Sequence, residues 1–201
     1  MGAKKVGTQI RREQIAHAAM VIIAEDGVSD LNIATIADTV GIVPSAVYRH
    51  FKNKDEIIDA VLDQLRDRML GNLQIALGKA QKPVEQLKTL VFLQLDMMKE
   101  IRTVPKILFS HDLVVGTPER RSKVYAIVKG MLAKVGEIIM NGQERGEIRR
   151  DVDPETLAMM FLGIIQPTVI IWYLSDGEFD VKKHAKKSWA AFSKYMAVGL
   201  E

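Results

Sequence analysis

The chain has 201 residues, room for one or two domains, and is 48% hydrophobic against 26% charged, a balance that excludes wholesale disorder. It has no cysteine, which excludes disulfides, thiolate catalysis and cysteine-ligated zinc together. The formal net charge of +3 permits an anionic partner without requiring one.

Charge is uneven at the start. Lys4, Lys5, Arg11 and Arg12 all precede the first acid, Glu13. Such a stretch is either a solvated, irregular tail or a basic arm that touches phosphates or the minor groove. Met1 to Gln14 has no apolar run of a signal peptide, which points to the cytoplasm. Ile15, Ala19, Ile22 and Ile23 are spaced as one face of a first helix, which Gly27 ends. Asn32 can cap the next helix, with Ile33, Ile36, Ala37 and Val40 facing inward. Gly41 offers the positive φ of a tight turn, and Pro44 suits the first position of a short third helix ending at Tyr48-Arg49-His50-Phe51. Asn53 and Asp55 bracket the start of a long helix through Ile57, Val61 and Leu65 to about Leu77.

Pro83 opens a helix with Leu87, Leu90, Val91, Leu95 and Met98 on one side, broken by Pro105. A short apolar piece, Ile107 to Val115, follows. Pro118 begins an amphipathic stretch from Val124 to Ile139 that Gly146 stops. Asp151 or Asp153 caps the next helix, with Pro154 in its first turn. From Ala158 to Leu174 that helix is apolar all round except for Gln166, Thr168 and the Tyr173 hydroxyl. The run is short for a membrane span and holds Pro167, so a helix buried on every side is the expectation, with a second copy of the chain as the extra cover. The last helix, about Val181 to Leu200, sets Ala185, Trp189, Phe192 and Met196 against a solvated face of Lys182, Lys183, Lys186 and Lys187. No strand alternation runs beyond four residues, so the class is all-α, with about nine helices. Six per cent aromatic residues and 10 methionines give an aliphatic, adaptable core that suits ordinary helix packing or a cavity for flexible ligands.

No enzyme motif stands out. The four histidines, His17, His50, His111 and His184, lack ligand-spaced partners, and neither GxSxG, a Walker A loop nor GxGxxG occurs. No catalytic residue, metal site or cofactor is expected. The stretch Asn32 to Lys54 carries more information. Ile36, Ala37, Val40 and Ile42 supply packing for a helix-turn-helix, with Val47 and Phe51 behind its second helix. Ser45, Tyr48 and Arg49 then face out, as a helix bound for a DNA major groove requires. Lys54 adds charge where the long helix is already positive, which favours a phosphate.

These residues resemble the N-terminal signature of the TetR family of transcriptional repressors. The matching positions are Ile15, Ala18, Ala19, Gly27, Ile36-Ala37, Gly41, Tyr48, His50-Phe51 and Lys54-Asp55. The resemblance implies a three-helix DNA-binding domain over residues 8–68, with its helix-turn-helix at about 31–50. A larger helical domain over residues 69–201 would bind ligand and form a homodimer through about residues 154–174 and 181–200. It places recognition contacts at Pro44, Ser45, Ala46, Tyr48, Arg49 and His50, and phosphate contacts at Asn32, Thr35 and Lys54. Ser45 and Ala46 would meet thymine methyls. The chain departs from the pattern at Ile23, Ala34, Val43 and Ser45. It therefore shares the docking mode without specifying the operator sequence. A dimer would read a palindrome with recognition helices roughly 34–36 Å apart.

The expected regulation is repression relieved by an apolar or amphipathic small molecule, with the long helix as lever. Polar or aromatic residues embedded in the apolar helices are the pocket candidates: Phe92, Met98, Phe109, His111, Tyr125, Gln166, Thr168 and Trp172. Gln166 leads, because Pro167 beside it frees a carbonyl and kinks the helix. The alternative is a DNA-binding protein of the same fold controlled by a protein partner or by no ligand.

Overall fold

The structure is a computed structural model that describes residues 7–27, 30–101 and 117–199. Eight helices and no strand occur among them: α1 Thr8–Glu25, α2 Ile33–Val40, α3 Pro44–Tyr48, α4 Lys54–Lys79, α5 Pro83–Glu100, α6 Pro118–Glu144, α7 Pro154–Leu174 and α8 Val181–Met196. Lys4 and Lys5, the break at Pro105 and the piece Ile107 to Val115 lie outside the described residues.

The chain divides into two compact units. One takes the described residues of Met1–Asp67 and Ile101–Val124, the other Arg68–Glu100 and the described residues of Tyr125–Glu201. In the first, α2 packs on α1 and α3. Ile15, Ala19, Ile23, Ile36, Ala37, Val47, Phe51, Ile57 and Val61 close its core with almost no exposed surface. The helical spacing of these residues explains the packing: each helix turns one apolar stripe inward. Ile33, Val40 and Ile42 are only half-buried, because α2 is too short to enclose both of its ends. Arg11 and Arg12 are not part of an arm; both are helical, within the first turns of α1.

In the second unit α7 packs on α5 and α8, and α5 packs on α8. Leu87, Leu90, Val91, Val135, Ile139, Leu157, Phe161 and Ala185 form the core. Phe192 meets Phe161 edge-on at 6.4 Å and Trp189 at 5.9 Å, the geometry that aromatic quadrupoles favour. Asp153 caps α7 by accepting from the Thr156 N–H at 2.9 Å. Because α7 starts at Pro154 it has 21 residues, long and apolar enough to cross a membrane by those measures. Its packing is that of a core helix, with Leu157, Phe161, Ile165 and Val169 buried. It is not buried on every side: Met159, Met160, Ile171 and Leu174 are exposed, Leu174 at 71%. The last helix ends at Met196, short of Leu200, where Ala197 turns to extended backbone.

Candidate nucleic-acid interface

Local chemistry fixes the helix-turn-helix. Asn32 has an extended backbone, and its Oδ1 accepts from the Thr35 N–H at 2.9 Å. Gly41 has φ +72°, its N–H donates to the Asp38 carbonyl, and Ile42 donates to the Ala37 carbonyl. This pair of bonds is a Schellman closure and needs the left-handed conformation that glycine adopts at no steric cost. Pro44 stands at the first position of α3, preceded by Val43, which offers no side-chain cap. The helix ends at Tyr48, three residues earlier than the polar pattern indicates, so Arg49 is a cap and His50 and Phe51 lie beyond the helix.

Pro44, Ser45, Tyr48 and Arg49 are all exposed, Tyr48 at 57%. Val47 and Phe51 are buried behind them. Ala46 joins the buried side at 7% exposure, which sets it apart from exposed Ser45 and against the thymine-methyl contact expected of it. Asn32 is exposed and Thr35 half-buried. His50 is half-buried, and its Nδ1 is enclosed without a hydrogen-bond partner among the described residues. Burial, then the charges of Arg49, Arg11 and Arg12, hold its pKa below the usual 6.5. The imidazole is therefore neutral near pH 7.

Lys54 opens α4 and is half-buried. Two side-chain bonds close the turn before it: Asn53 Oδ1 accepts from the Glu56 N–H at 2.9 Å, and Glu56 Oε2 accepts from the Lys52 N–H at 2.9 Å. This is a capping box with its return bond one residue early. Sequence reasoning missed Arg12. Its Nη1 donates to the His50 carbonyl and its guanidinium lies 4.0 Å over the Phe51 ring. No local signal reveals a partner 38 residues away.

A polar helical face over an apolar brace, set by a Schellman turn, is the DNA-reading arrangement of a helix-turn-helix. Residues 15–61 match the family described as bacterial regulatory proteins, tetR family, and residues 58–193 match the YsiA-like protein C-terminal region of TetR proteins. The chain belongs to the TetR family. It is a DNA-binding transcriptional regulator. It is 25% identical over 168 residues to the fatty acid metabolism regulator protein of Bacillus subtilis, covering 84% of this chain and 86% of that one. It is 21% identical over 193 residues to the nucleoid occlusion factor SlmA of Vibrio vulnificus, covering 96% and 97%. The crystal structure of FadR from Bacillus subtilis in complex with stearoyl-CoA superposes with a TM-score of 0.79 at 23% identity, covering 91% of this chain and 98% of that one.

In this TetR-family regulator the second unit encloses a cavity of roughly 40 Å³. Met69, Met98, Met131 and Phe161 line it, with the amides of Gln94 and Gln166 as its polar groups. Of the expected pocket residues that are described, only Met98 and Gln166 reach it. Phe92 and Trp172 do not line it, and Tyr125 is 64% exposed. Thr168 is fully buried, but its Oγ1 donates at 2.6 Å to the Ile164 carbonyl of its own helix. Phe109 and His111 lie outside the described residues. Gln94 was not anticipated. It is 3% exposed, donates to the Met69 carbonyl at 3.1 Å and faces Asn72 Nδ2 at 3.4 Å.

Proposed function

We propose that this regulator is a repressor that binds a palindromic operator as a homodimer and leaves it when an apolar or amphipathic small molecule enters the second unit. Residues 8–68 are the DNA-binding domain in this reading, and residues 69–201 regulate and dimerise. The observation that carries it is the exposed row Pro44, Ser45, Tyr48 and Arg49 over buried Val47 and Phe51. Asn32, Thr35, His50 and Lys54 supply the flanking contacts, and the protein acts in the cytoplasm, where its DNA is.

A dimer is supported by the open apolar face of α7 beside α8. The effector class is supported by the methionine-lined cavity and by the stearoyl-CoA in the Bacillus subtilis FadR structure. A cavity of roughly 40 Å³ is far below the ~300–1,000 Å³ of a ligand pocket. An effector bound in this cavity has to open it, which flexible Met69, Met98 and Met131 permit. The same small volume favours a second reading, a DNA-binding protein governed by a protein partner or by no ligand.

A gel shift on the chain's own promoter region tests both. Tyr48→Ala and Lys54→Ala should each weaken the complex, with Lys54→Ala reducing the salt slope by about one per subunit. Unchanged binding by both variants sinks the interface. Release of the DNA by stearoyl-CoA supports the effector reading, and indifference to acyl-CoA and free fatty acid alike moves the weight to the second.

A further inference from the structure

Four aspartates recur every fourth residue along the start of α4: Asp55, Asp59, Asp63 and Asp67. That spacing puts them on one face of the helix. The first three meet cations from the first turns of α6. Arg120 Nη2 lies 2.6 Å from Asp55 Oδ1, and its Nε is 3.8 Å from Asp59. Lys123 Nζ lies 2.8 Å from Asp63 and donates to the Asp59 carbonyl at 2.9 Å. The Arg120 side chain is 6% exposed, whereas Asp55 is 64% exposed. A guanidinium this buried holds its place only while carboxylates neutralise it.

Asp55 has two opposing effects. As an acid in the first turn of α4 it stabilises the helix, because it complements the positive end of the dipole. The same end, next to Lys54, is where a DNA phosphate would dock. An uncompensated carboxylate there repels the phosphate well within a screening length of about 8–10 Å. Arg120 removes the conflict: the helix keeps its acid and the phosphate does not meet a bare negative charge.

We propose that Arg120 is a positioning residue for DNA binding, neutralising Asp55 and Asp59 and holding the Lys54 turn of α4 from the first turn of α6. The proposal rests on the reading that the Lys54 turn meets DNA.

The test is operator affinity as a function of salt, with DNA from the chain's own promoter region and full-length protein. Arg120→Gln should weaken binding about tenfold, within the usual range of coupling between sites. The salt slope should not change, because no phosphate contact is lost. Adding Asp55→Asn in that background should recover most of the affinity. A purely structural ion pair gives no such rescue, since the second substitution removes one more native group. Unchanged affinity in Arg120→Gln, or a loss that Asp55→Asn with Asp59→Asn fails to recover, overturns the proposal. If thermal melts show that Arg120→Gln does not fold, Arg120→Lys with and without Asp55→Asn asks the same question, since the shorter side chain keeps a charge but loses the Asp55 contact: a two- to threefold loss (roughly) that is recovered supports it, and a loss without recovery overturns it. Lys54→Ala separates the two levels. Wild-type affinity and slope in that variant overturn the DNA reading of the turn itself, whereas a Lys54 effect beside an inert Arg120 overturns only the present inference.

Discussion

The guanidinium of Arg12 in α1 lies 4.0 Å over the ring of Phe51, and its Nη1 donates to the carbonyl of His50. The contact ties the residues that follow α3 to α1. Phe51 is buried at 1%, and the Arg12 guanidinium covers its ring. With its guanidinium engaged by the His50 carbonyl and the Phe51 ring, the arginine is expected to act through position. Arg12→Ala should therefore destabilise the protein by about 1–2 kcal/mol, one cation–π contact plus one hydrogen bond. It should weaken operator binding without changing the salt slope, since a phosphate contact contributes close to one unit of slope. Denaturant unfolding and a salt titration of binding measure both, and a reduced slope would return Arg12 to the phosphate backbone.

His50 gives a pH dependence with a definite sign. Burial and the guanidinium groups of Arg49, Arg11 and Arg12 lower its pKa from 6.5 in the folded chain. Between that lowered value and 6.5 the unfolded chain binds more protons than the folded one. Stability therefore rises with pH across this window and is lost as the pH falls through it. The expected result is a melting temperature that drops on acidification below about pH 6.5, with His50→Gln flattening that part of the curve. A curve that His50→Gln leaves unaltered assigns the loss to carboxylates.

Asn32 is expected to matter through the fold of α2 before it matters to DNA. Its Oδ1 holds the Thr35 N–H at 2.9 Å, and its Nδ2 donates to the Asp30 carbonyl at 3.1 Å. Asn32→Ala should cost about 1 kcal/mol of stability, the ordinary loss of a side-chain cap. Asn32→Asp keeps the acceptor for Thr35 but loses the donor to Asp30, so it should retain more stability than Asn32→Ala while weakening DNA binding, because it adds a negative charge. Equal stability for Asn32→Ala and wild type in urea would show that α2 is held by packing alone.

The features legible in the sequence are those that one turn of chain decides. Asn32 and Asp153 cap the helices expected of them, Gly41 makes its turn, and Pro44, Pro83, Pro118 and Pro154 each open a helix. The inward stripe of Ile15, Ala19, Ile22 and Ile23 follows from spacing alone. The misses are features that need the neighbour. Ala46 and Val47 both turn inward because a five-residue helix wedges against α2, which periodicity over so few residues cannot report. Thr168 reads as a polar pocket residue, yet its hydroxyl is satisfied inside α7. Gln94 hides among leucines and is recognisable only once Met69 and Asn72 are beside it. The long-range partners of Arg12 and Arg120 leave no local trace.

The open face of α7 carries the last expectation. Met159, Met160, Ile171 and Leu174 are exposed between 41% and 71%, and Gly163 and Pro167 lie on the same side. A single copy leaves this apolar stripe in water, and a two-fold partner would cover it with its own stripe. In such an interface every substitution acts twice. Burying one isoleucine contributes roughly 1.5–3 kcal/mol, so Ile171→Glu should weaken the dimer by about 3 kcal/mol or more, over a hundredfold in its dissociation constant. Sedimentation should then show monomer at micromolar protein. Operator binding should fall in step, because each half-site would be held alone. Pro167 lacks the N–H that would pair with the Gly163 carbonyl, and Gly163 has open space where a Cβ would stand, so Gly163→Leu tests the same face by bulk rather than charge. A dimer that survives both substitutions would move the interface off α7.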